Sequence, residues 1–248
     1  MSLFAKITFL PSLSYNLLRN RWSSWNWYDR IDNRVILGAL PFHGSITNQL
    51  YIGENVRSVI SMNENFELLF AVTNQQEWKL LNVDYLQLNT ADIFHAPTLK
   101  QLIDGVEFIL TMSTNDNNRH SNLTNLKSEF SERKLRKILY DPQPLLVNWP
   151  IKNNGRIIDI IDNNDKKITN IPSSSTSTTT YVHCKAGRTR SATLVACYLM
   201  KQYNLTPMES VEELQKYRRQ ILLHRKQLKA LDQFYQYLLE MKKQIGFC

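Results

Sequence analysis

Short apolar runs recur along the chain and alternate with stretches whose apolar residues have helical spacing. Three runs rich in Val, Ile and Leu, "RVILGALP", "VRSVISMN" and "VDYLQLNT", predict buried strands. A fourth run, "TTYVHC", predicts a strand that ends at His183 and Cys184. Because predicted strands and helices alternate, the pattern indicates an α/β fold with a mainly parallel central sheet flanked by helices.

The predicted helices lie between the strands and after the last strand. Thr98 is placed to cap one of them. Thr206 and Glu209 have the spacing of a capping box, with Pro207 at the first helical position. The predicted helices cover residues 65–81, 99–112, about 191–203, 207–219 and about 226–244.

The alternation stops between about residues 113 and 179. Asparagines and hydroxyl residues accumulate there and end in "PSSSTSTTT", and such polar tracts cannot bury enough apolar surface to become ordered. The apolar pieces "RKILY", "PLLVNWP" and "GRIIDIID" within it can still form local structure or dock on the domain. We interpret this stretch as a low-complexity insertion in a single domain that covers residues 29–248. Regulation through its serines and threonines is the alternative, and the composition favours an insert without such a role.

Composition narrows the class of protein. The chain has 248 residues, of which 43% are hydrophobic, so it can bury a core. Three cysteines without paired spacing disfavour a disulfide framework and favour a reducing compartment. The formal net charge of +8 indicates an anionic partner: nucleic acid, a phospholipid surface or a phosphorylated substrate. No apolar run is long enough to predict a membrane-spanning helix.

The N-terminal segment, residues 1–28, carries basic but no acidic side chains, which is a mark of mitochondrial transit segments. Pro11 divides it into two short pieces that interleave apolar and small polar residues, a pattern that can lie on a membrane surface. The alternative is an N-terminal helix packed on the domain. The pattern favours targeting or membrane association over that alternative.

The stretch "YVHCKAGRTRSATLVACYLM" places a cysteine between the end of a predicted strand and the start of a predicted helix. A helix start leaves its first N–H groups unpaired and carries partial positive charge, so such a loop can bind phosphate. Gly187 lets the backbone bend and approach an anion closely. The expected phosphate-binding residues are Lys185, Ala186, Gly187, Arg188, Thr189 and Arg190.

The residues around this loop predict nucleophilic catalysis. Cys184 is the predicted nucleophile, because positive surroundings shift a thiol toward the thiolate that attacks. Arg190 offers a planar fork for two phosphoryl oxygens in the transition state. We expect Ser191 to stabilise the thiolate as a phosphocysteine is hydrolysed, and His183 to hydrogen-bond the loop rather than act as a base. A buried structural cysteine is the alternative, and the combination of residues in a strand-to-helix setting favours catalysis.

With these residues, "HCKAGRTRS" resembles the His-Cys-x5-Arg-Ser signature of cysteine-dependent protein tyrosine and dual-specificity phosphatases. "WYDRIDNRVILGALP", "ENVRSVISMNENFE" and "LNTADIFHAPTLKQLIDGVEF" are similar to the mitochondrial phosphatidylglycerophosphate phosphatases of that superfamily, and the resemblance covers nearly the whole chain outside the insertion. It implies a dual-specificity-phosphatase-like fold. It also implies removal of phosphate from phosphatidylglycerophosphate, which gives phosphatidylglycerol for cardiolipin synthesis, by a peripheral protein of the mitochondrial inner membrane.

The chemistry also needs an acid, because the glycerol alkoxide leaves poorly unless it is protonated. Asp92 follows a predicted strand in "NTADIFHAPT", and the resemblance places it at the family's general-acid position. A turn aspartate is the alternative. Trp149 and Pro150 lie where many tyrosine phosphatases carry a Trp-Pro-Asp loop, but Ile151 stands in place of the acid.

Other charged residues have two interpretations. Glu64 and Glu67 match an acidic motif of the family, and helix solubility explains them equally well. His224 and Arg225 stand where the family often has an arginine-proline pair, which leaves substrate contacts there open. A basic run could meet lipid headgroups, although a solvated helix face is the commoner explanation. The run consists of Lys216, Arg218, Arg219, Arg225 and Lys226.

Two other classes of function stay open from the sequence. The same chemistry would serve a dual-specificity protein phosphatase acting on phosphotyrosine and phosphothreonine, or a phosphoinositide phosphatase. A catalytically inactive phosphate-binding module would require loss of the nucleophile, the arginine or the acid, and all three are present. The expected partners are an anionic phospholipid and a mitochondrial membrane surface, not nucleic acid. No metal or other cofactor is expected, because Arg190 and the loop amides supply the positive charge.

Overall fold

Strands and helices alternate along the chain. The computed structural model describes residues 3–69, 72–92, 95–112, 138–139, 152–153, 156–157 and 178–246. The strands are β1 (Tyr28–Arg30), β2 (Val35–Gly38), β3 (Val56–Ser61), β4 (Asp84–Gln87), β5 (Lys152–Asn153), β6 (Arg156–Ile157) and β7 (Thr179–His183). The helices are α1 (Leu3–Trp22), α2 (Ser45–Asn48), α3 (Gln75–Leu80), α4 (Leu99–Met112), α5 (Arg190–Tyr203), α6 (Pro207–Tyr217) and α7 (Arg225–Ile245). A π-helical turn covers Gln49–Gly53, and a 3₁₀ turn covers Asn65–Leu68.

The central sheet has five strands in the order β1–β2–β7–β3–β4. Strand β7 pairs in parallel with β2 and β3, β3 pairs in parallel with β4, and the edge strand β1 is antiparallel to β2. Every residue of β7 is buried, as expected for the central strand of a sheet covered on both faces. His183 pairs with Gly38 on one side and Ser61 on the other. The chain therefore leaves β7 where its two neighbours also end.

Alternate residues of β7 face two separate apolar clusters. Val182 lies in a cluster with α4, α5, α6 and α7, whereas Tyr181 lies in a second cluster with buried residues of α1 and α3. Helix α5 is the most enclosed, because every residue from Arg190 to Met200 is buried. This burial fixes the start of α5, and with it the preceding loop, against the sheet.

The structure confirms the predicted α/β class and the mainly parallel sheet. Helix α4 covers the predicted residues, and Thr98 Oγ1 accepts a hydrogen bond from the Gln101 N–H (3.3 Å). Thr206 and Glu209 form the predicted capping box of α6. This helix ends two residues earlier than predicted, at Tyr217.

The single helix predicted over residues 65–81 is wrong. The 3₁₀ turn and α3 replace it, and the side chain of Asn74 caps α3. Between these elements Val72 forms an antiparallel β-bridge with Phe42. Periodicity within the segment could not indicate this contact, because the partner lies thirty positions earlier in the chain.

The N-terminal segment forms one helix rather than two short pieces. Pro11 lies inside α1. Phe9 and Leu13 are buried in the second cluster, so α1 packs on the domain, which was the alternative expectation. Across the residues that the structure describes, no helix has both the length and the hydropathy needed to cross a bilayer. A targeting role for residues 1–28 stays a prediction.

Most of the predicted insertion, including Trp149 and Pro150, lies outside the described residues. Ile138 and Leu139 are buried in the second cluster, and the Ile138 carbonyl accepts a hydrogen bond from the Gly44 N–H (3.0 Å). Strands β5 and β6 form a two-stranded antiparallel pair. Part of this stretch therefore docks on the domain, and its status as an insertion stays a prediction.

Candidate active site

A tight loop of residues 184–189 joins β7 to α5, and we call it the anion loop. Gly187 adopts a φ of 64°, a conformation that side-chain-bearing residues rarely take. A Cβ atom at this position would lie 2.4 Å from the Gly38 carbonyl oxygen. Glycine is therefore required by both conformation and space, and the loop packs directly on the end of β2.

Four successive carbonyl groups of the anion loop point away from its centre. The Lys185 carbonyl accepts from the Leu40 N–H (3.4 Å), and the Arg188 carbonyl accepts from the Leu222 N–H (2.9 Å). The carbonyls of residues 186 and 187 accept from Arg218, at 3.1 and 2.7 Å. In a planar trans peptide the N–H group points opposite to the carbonyl, so the N–H groups of residues 186–189 point inward. Together with the start of α5, they can bind one anion.

Cys184 lies at the beginning of this loop and is buried. The Ser191 hydroxyl donates a hydrogen bond to Sγ (3.1 Å). Burial alone raises the pKa of the Cys184 thiol, but the Arg190 charge, the Ser191 hydroxyl and the backbone N–H groups of Ser191 and Ala186 lower it more. The pKa therefore lies below its usual value, which favours the thiolate.

A comparison with Cys197 shows that the surroundings of the anion loop, and not burial, lower the pKa of Cys184. Cys197 is buried in the interior of α5, and neither it nor Cys184 forms a disulfide. Burial raises the pKa of the Cys197 thiol well above its usual value, with no opposing charge or hydrogen bond. The pKa values of these two buried thiols are thus shifted in opposite directions, because only Cys184 faces an arginine and the hydrogen-bond donors at a helix start.

Arg190 is buried at the first position of α5. Its Nη1 and Nη2 atoms donate to the two carboxylate oxygens of Glu67, at 2.6 and 2.9 Å, and Nη1 also donates to the Thr90 carbonyl (2.9 Å). Burial lowers the pKa of Arg190, but Glu67 raises it more, so the guanidinium stays charged. Among the described residues Nε has no hydrogen-bond partner, which leaves this donor for a bound anion.

Asp92 reaches the anion loop from the segment after β4. Its carboxylate pairs with Lys185 Nζ, and its other oxygen lies 3.3 Å from Arg190 Nη2. The fold therefore brings Asp92 next to Arg190 and to the anion loop that contains Cys184, as the sequence predicts. Their catalytic roles belong to the proposal below.

His183 is buried and stacks on Tyr181, with ring centres 5.5 Å apart. Within the described residues neither ring nitrogen forms a hydrogen bond of good geometry. The Cys184 backbone nevertheless raises the pKa of the imidazole through a hydrogen-bond interaction, so the hydrogen bond to the loop expected from the sequence stays a prediction. Burial lowers the pKa of His183 to about 3, with the Arg190 charge adding to this effect and the Cys184 backbone opposing it. The imidazole is therefore neutral at physiological pH.

Arg218 holds the anion loop in place and Glu67 holds Arg190, and neither role was predicted from the sequence. Arg218 is buried, and its Nη1 lies 2.5 Å from the Asp29 carboxylate while the same side chain holds two loop carbonyls. Its interpretation as part of a solvated or lipid-facing basic run is wrong. Asp29 lies 189 positions earlier, so local sequence carried no signal for this pair. Glu67 is buried against Arg190, which agrees with the acidic motif rather than with helix solubility.

Among the described residues, no group of three or more His, Cys, Asp and Glu side chains is arranged to hold a metal ion. The positive charge at the site comes instead from side chains and peptide N–H groups. Lys185, Arg188 and Arg190 surround the loop, with Arg218 behind it. This arrangement can bind a phosphomonoester dianion next to a thiolate.

Comparisons with known proteins agree with this geometry. The profile of the dual specificity phosphatase catalytic domain matches residues 120–237. The phosphatidylglycerophosphatase and protein-tyrosine phosphatase 1 of Rattus norvegicus is 33% identical over 234 residues, which cover 93% of this chain and 89% of that protein. The Homo sapiens protein of the same name is 34% identical over 234 residues, which cover 93% of this chain and 86% of that protein.

A solved structure agrees as well. The crystal structure of PTPMT1 in complex with PI(5)P has 30% sequence identity and a TM-score of 0.60, covering 88% of this chain and 99% of that chain. The likeness thus extends over nearly the full length of both sequence and fold. The chain therefore belongs to the dual specificity phosphatase family and is a cysteine-dependent phosphatase, similar along nearly its whole length to the phosphatidylglycerophosphatase and protein-tyrosine phosphatase 1 proteins.

Proposed function

We propose that this protein removes the terminal phosphate of phosphatidylglycerophosphate, giving phosphatidylglycerol, the precursor of cardiolipin. The observation that carries the proposal is the anion loop, where Lys185 and Arg188 add positive charge to that of Arg190 around a buried thiolate. The names of the rat and human relatives include this activity. A structural relative binds a phosphoinositide, which is also a phospholipid with a terminal phosphomonoester.

In the first step, the Cys184 thiolate attacks phosphorus while the bond from phosphorus to the glycerol oxygen breaks. The inward N–H groups and Arg190 bind the three non-bridging phosphoryl oxygens as negative charge moves across them. Arg190 can donate Nε to one oxygen and Nη2 to another, because Glu67 fixes the plane of the guanidinium. The products of this step are a phosphocysteine and the glycerol leaving group.

Asp92 protonates the departing glycerol oxygen in the same step. Without substrate its carboxylate pairs with Lys185 and Arg190. A phosphomonoester dianion competes for these two cations, because its oxygens occupy the centre of the same loop. Binding of substrate thus weakens the ion pairs of Asp92 and favours its protonated form, which is the form that a general acid requires.

In the second step, water attacks phosphorus and the bond between sulfur and phosphorus breaks. Asp92, now a carboxylate, takes the proton of the attacking water, and inorganic phosphate is released. The Ser191 hydroxyl and the Arg190 charge stabilise the thiolate that leaves, as they do in the free site. His183 supports the loop by packing and neither gives nor takes a proton, since its pKa of about 3 keeps it neutral.

We further propose a peripheral location at the mitochondrial inner membrane. The basic N-terminal segment favours mitochondrial targeting. Several apolar side chains of α1 and of two loops are exposed, which is typical of proteins that meet lipid. These side chains are Leu10, Tyr15, Leu18, Trp22, Leu69 and Leu222.

A substrate panel tests the proposed function. Phosphate release from phosphatidylglycerophosphate should exceed release from a phosphotyrosine peptide and from a phosphoinositide at equal concentration. Cys184→Ser should abolish release from all three while inorganic phosphate still binds, because the hydroxyl is a poor nucleophile and the loop donors persist. Higher kcat/KM for the peptide would make the protein a protein phosphatase instead, and turnover by the serine variant would contradict the covalent mechanism.

Asp92→Asn separates a general acid from a structural aspartate. With phosphatidylglycerophosphate, kcat should fall about 10²–10⁴-fold, because the alkoxide leaving group needs the proton. With p-nitrophenyl phosphate, kcat/KM should fall much less, since this leaving group needs little protonation. Asp104→Asn changes a half-buried aspartate that pairs with Lys100 on α4; it is the matched control and should leave both rates unchanged. Equal losses on both substrates in Asp92→Asn would place the acid elsewhere.

Alkylation by iodoacetamide as a function of pH tests the thiolate. Modification of Cys184, followed by mass spectrometry, should have its midpoint below the ordinary cysteine pKa of about 8.5. Reactivity falls as pH falls through that midpoint, because the thiolate is then protonated. Ser191→Ala should raise the midpoint, since the thiolate loses a donor at 3.1 Å. Ser210→Ala removes a hydroxyl that donates to the Pro207 carbonyl and should not move it. An unshifted midpoint in Ser191→Ala would exclude the assigned role of Ser191.

A further inference from the structure

Two arginines lie against one tryptophan beside the anion loop. The guanidinium carbon of Arg19, near the end of α1, lies 4.6 Å from the centre of the Trp25 ring. That of Arg188, in the anion loop itself, lies 4.8 Å from the Trp25 ring centre. Because Arg188 belongs to the loop, this arrangement adjoins the place where the reacting phosphate binds.

Local hydrogen bonds hold the arrangement in place. The Trp25 carbonyl accepts from Nδ2 of the buried Asn20 (2.7 Å), and its N–H donates to Ser23 Oγ (3.2 Å). Arg188 Nε donates to the Gln220 carbonyl (2.9 Å), which fixes the orientation of the guanidinium. The indole supports both guanidinium groups through cation–π contacts. They are therefore positioned before any ligand binds.

Among the described residues, no acidic side chain balances these two positive charges. In the part of the chain that the structure describes, neither Arg19 nor Arg188 forms an ion pair with a carboxylate. Burial lowers the pKa of Arg188, and the charges of Arg218 and Arg19 lower it further, whereas Tyr15 and Cys184 act in the opposite direction. Like charges held this close repel one another, and a bound anion would relieve the repulsion.

The surface beside this pair is apolar. Tyr15, Leu18 and Trp22 are 51%, 39% and 75% exposed. With Arg19 they form a stripe on one face of α1, because residues three and four apart are neighbours on a helix. An anion with attached apolar chains would match both the paired arginines and this apolar surface.

We propose that Arg19 and Arg188, supported by Trp25, form a subsite for the phosphodiester of a phospholipid whose terminal phosphomonoester occupies the anion loop. Each guanidinium can donate to the non-bridging oxygens of a singly charged phosphodiester. The acyl chains attached to that phosphodiester then lie along Tyr15, Leu18 and Trp22. The proposal rests on the proposed function, since phosphatidylglycerophosphate carries its phosphodiester one glycerol away from its phosphomonoester.

The test compares the full-length wild type with Arg19→Gln, because Arg19 lies outside the anion loop. One substrate is dioctanoyl phosphatidylglycerophosphate, and the other is 1-O-octylglycerol 3-phosphate, which has the same kind of leaving group but no phosphodiester. Both are used as monomers, so that membrane binding does not contribute. Arg19→Gln should raise KM for the first substrate about 10-fold, as expected for loss of a charge-assisted hydrogen bond, and leave kcat within about twofold. Both constants for the second substrate should not change.

Lys201→Gln is the matched control. It removes the same charge from an exposed position near the far end of α5 and should change neither substrate's constants. Equal melting temperatures of the variants show that the fold is intact. An unchanged KM for the phosphodiester-bearing substrate, or an equal loss on both substrates, in Arg19→Gln overturns the subsite.

A second measurement separates failure of the subsite from failure of the proposed function. Dioctanoyl phosphatidylglycerol should inhibit hydrolysis of p-nitrophenyl phosphate, and its inhibition constant should rise about 10-fold in Arg19→Gln. If the wild type shows this inhibition but does not hydrolyse phosphatidylglycerophosphate, the proposed function fails and the subsite stands. An inhibition constant that Arg19→Gln leaves unchanged overturns the subsite, whatever the substrate proves to be.

Discussion

The buried ion pair between Arg218 and Asp29 determines the direction of the peptide groups around Cys184. One guanidinium contacts the Asp29 carboxylate at 2.5 Å and holds the carbonyls of residues 186 and 187 on the outer side of the anion loop. Removing one partner of such a pair leaves an uncompensated buried charge, which typically costs about 3–5 kcal/mol. The inward direction of the loop N–H groups, and so the stability of the thiolate, depends on this pair.

Acidic side chains balance the positive charge of Arg190 from two sides. Glu67 neutralises Arg190 from the side away from the loop and fixes its plane, while Nε stays available. Asp92 lies on the substrate side, where it pairs with Lys185 and Arg190 until a phosphate dianion competes for them. The charges of the site are thus balanced without ligand. When a phosphate dianion replaces Asp92 beside Lys185 and Arg190, these two cations balance the charge of the dianion.

Structural features that depend on residues close together in the chain could be predicted from the sequence. The α/β class, the bounds of α4, the capping box of α6 and the strand-loop-helix around Cys184 follow from local patterns and are confirmed. Cys184, Arg190 and Ser191 lie within one short segment, so spacing alone brought them together. The prediction that Asp92 lies at the site also required the family resemblance, because Asp92 is 93 positions from Lys185 in the chain.

Contacts between distant segments could not be predicted in this way. Nothing near Arg218 indicates that Asp29 lies beside it, and a basic residue at a helix end is more often solvated. The bridge between Val72 and Phe42 interrupts the helix predicted over residues 65–81 for the same reason. Local spacing likewise does not indicate the complete burial of His183 against Tyr181, which keeps the imidazole neutral. Burial and contacts between distant segments depend on the folded chain, so neighbouring residues do not reveal them.

The central claim is that Cys184 takes the phosphate of phosphatidylglycerophosphate onto its sulfur. The most direct measurement mixes wild-type protein with this lipid, stops the reaction with acid within one turnover and searches the digested chain for phosphate by mass spectrometry. Phosphate on the peptide that contains Cys184, gone after longer incubation as inorganic phosphate appears, is the predicted result. Turnover with phosphate on another residue, or with no phosphorylated peptide at any time, would contradict it.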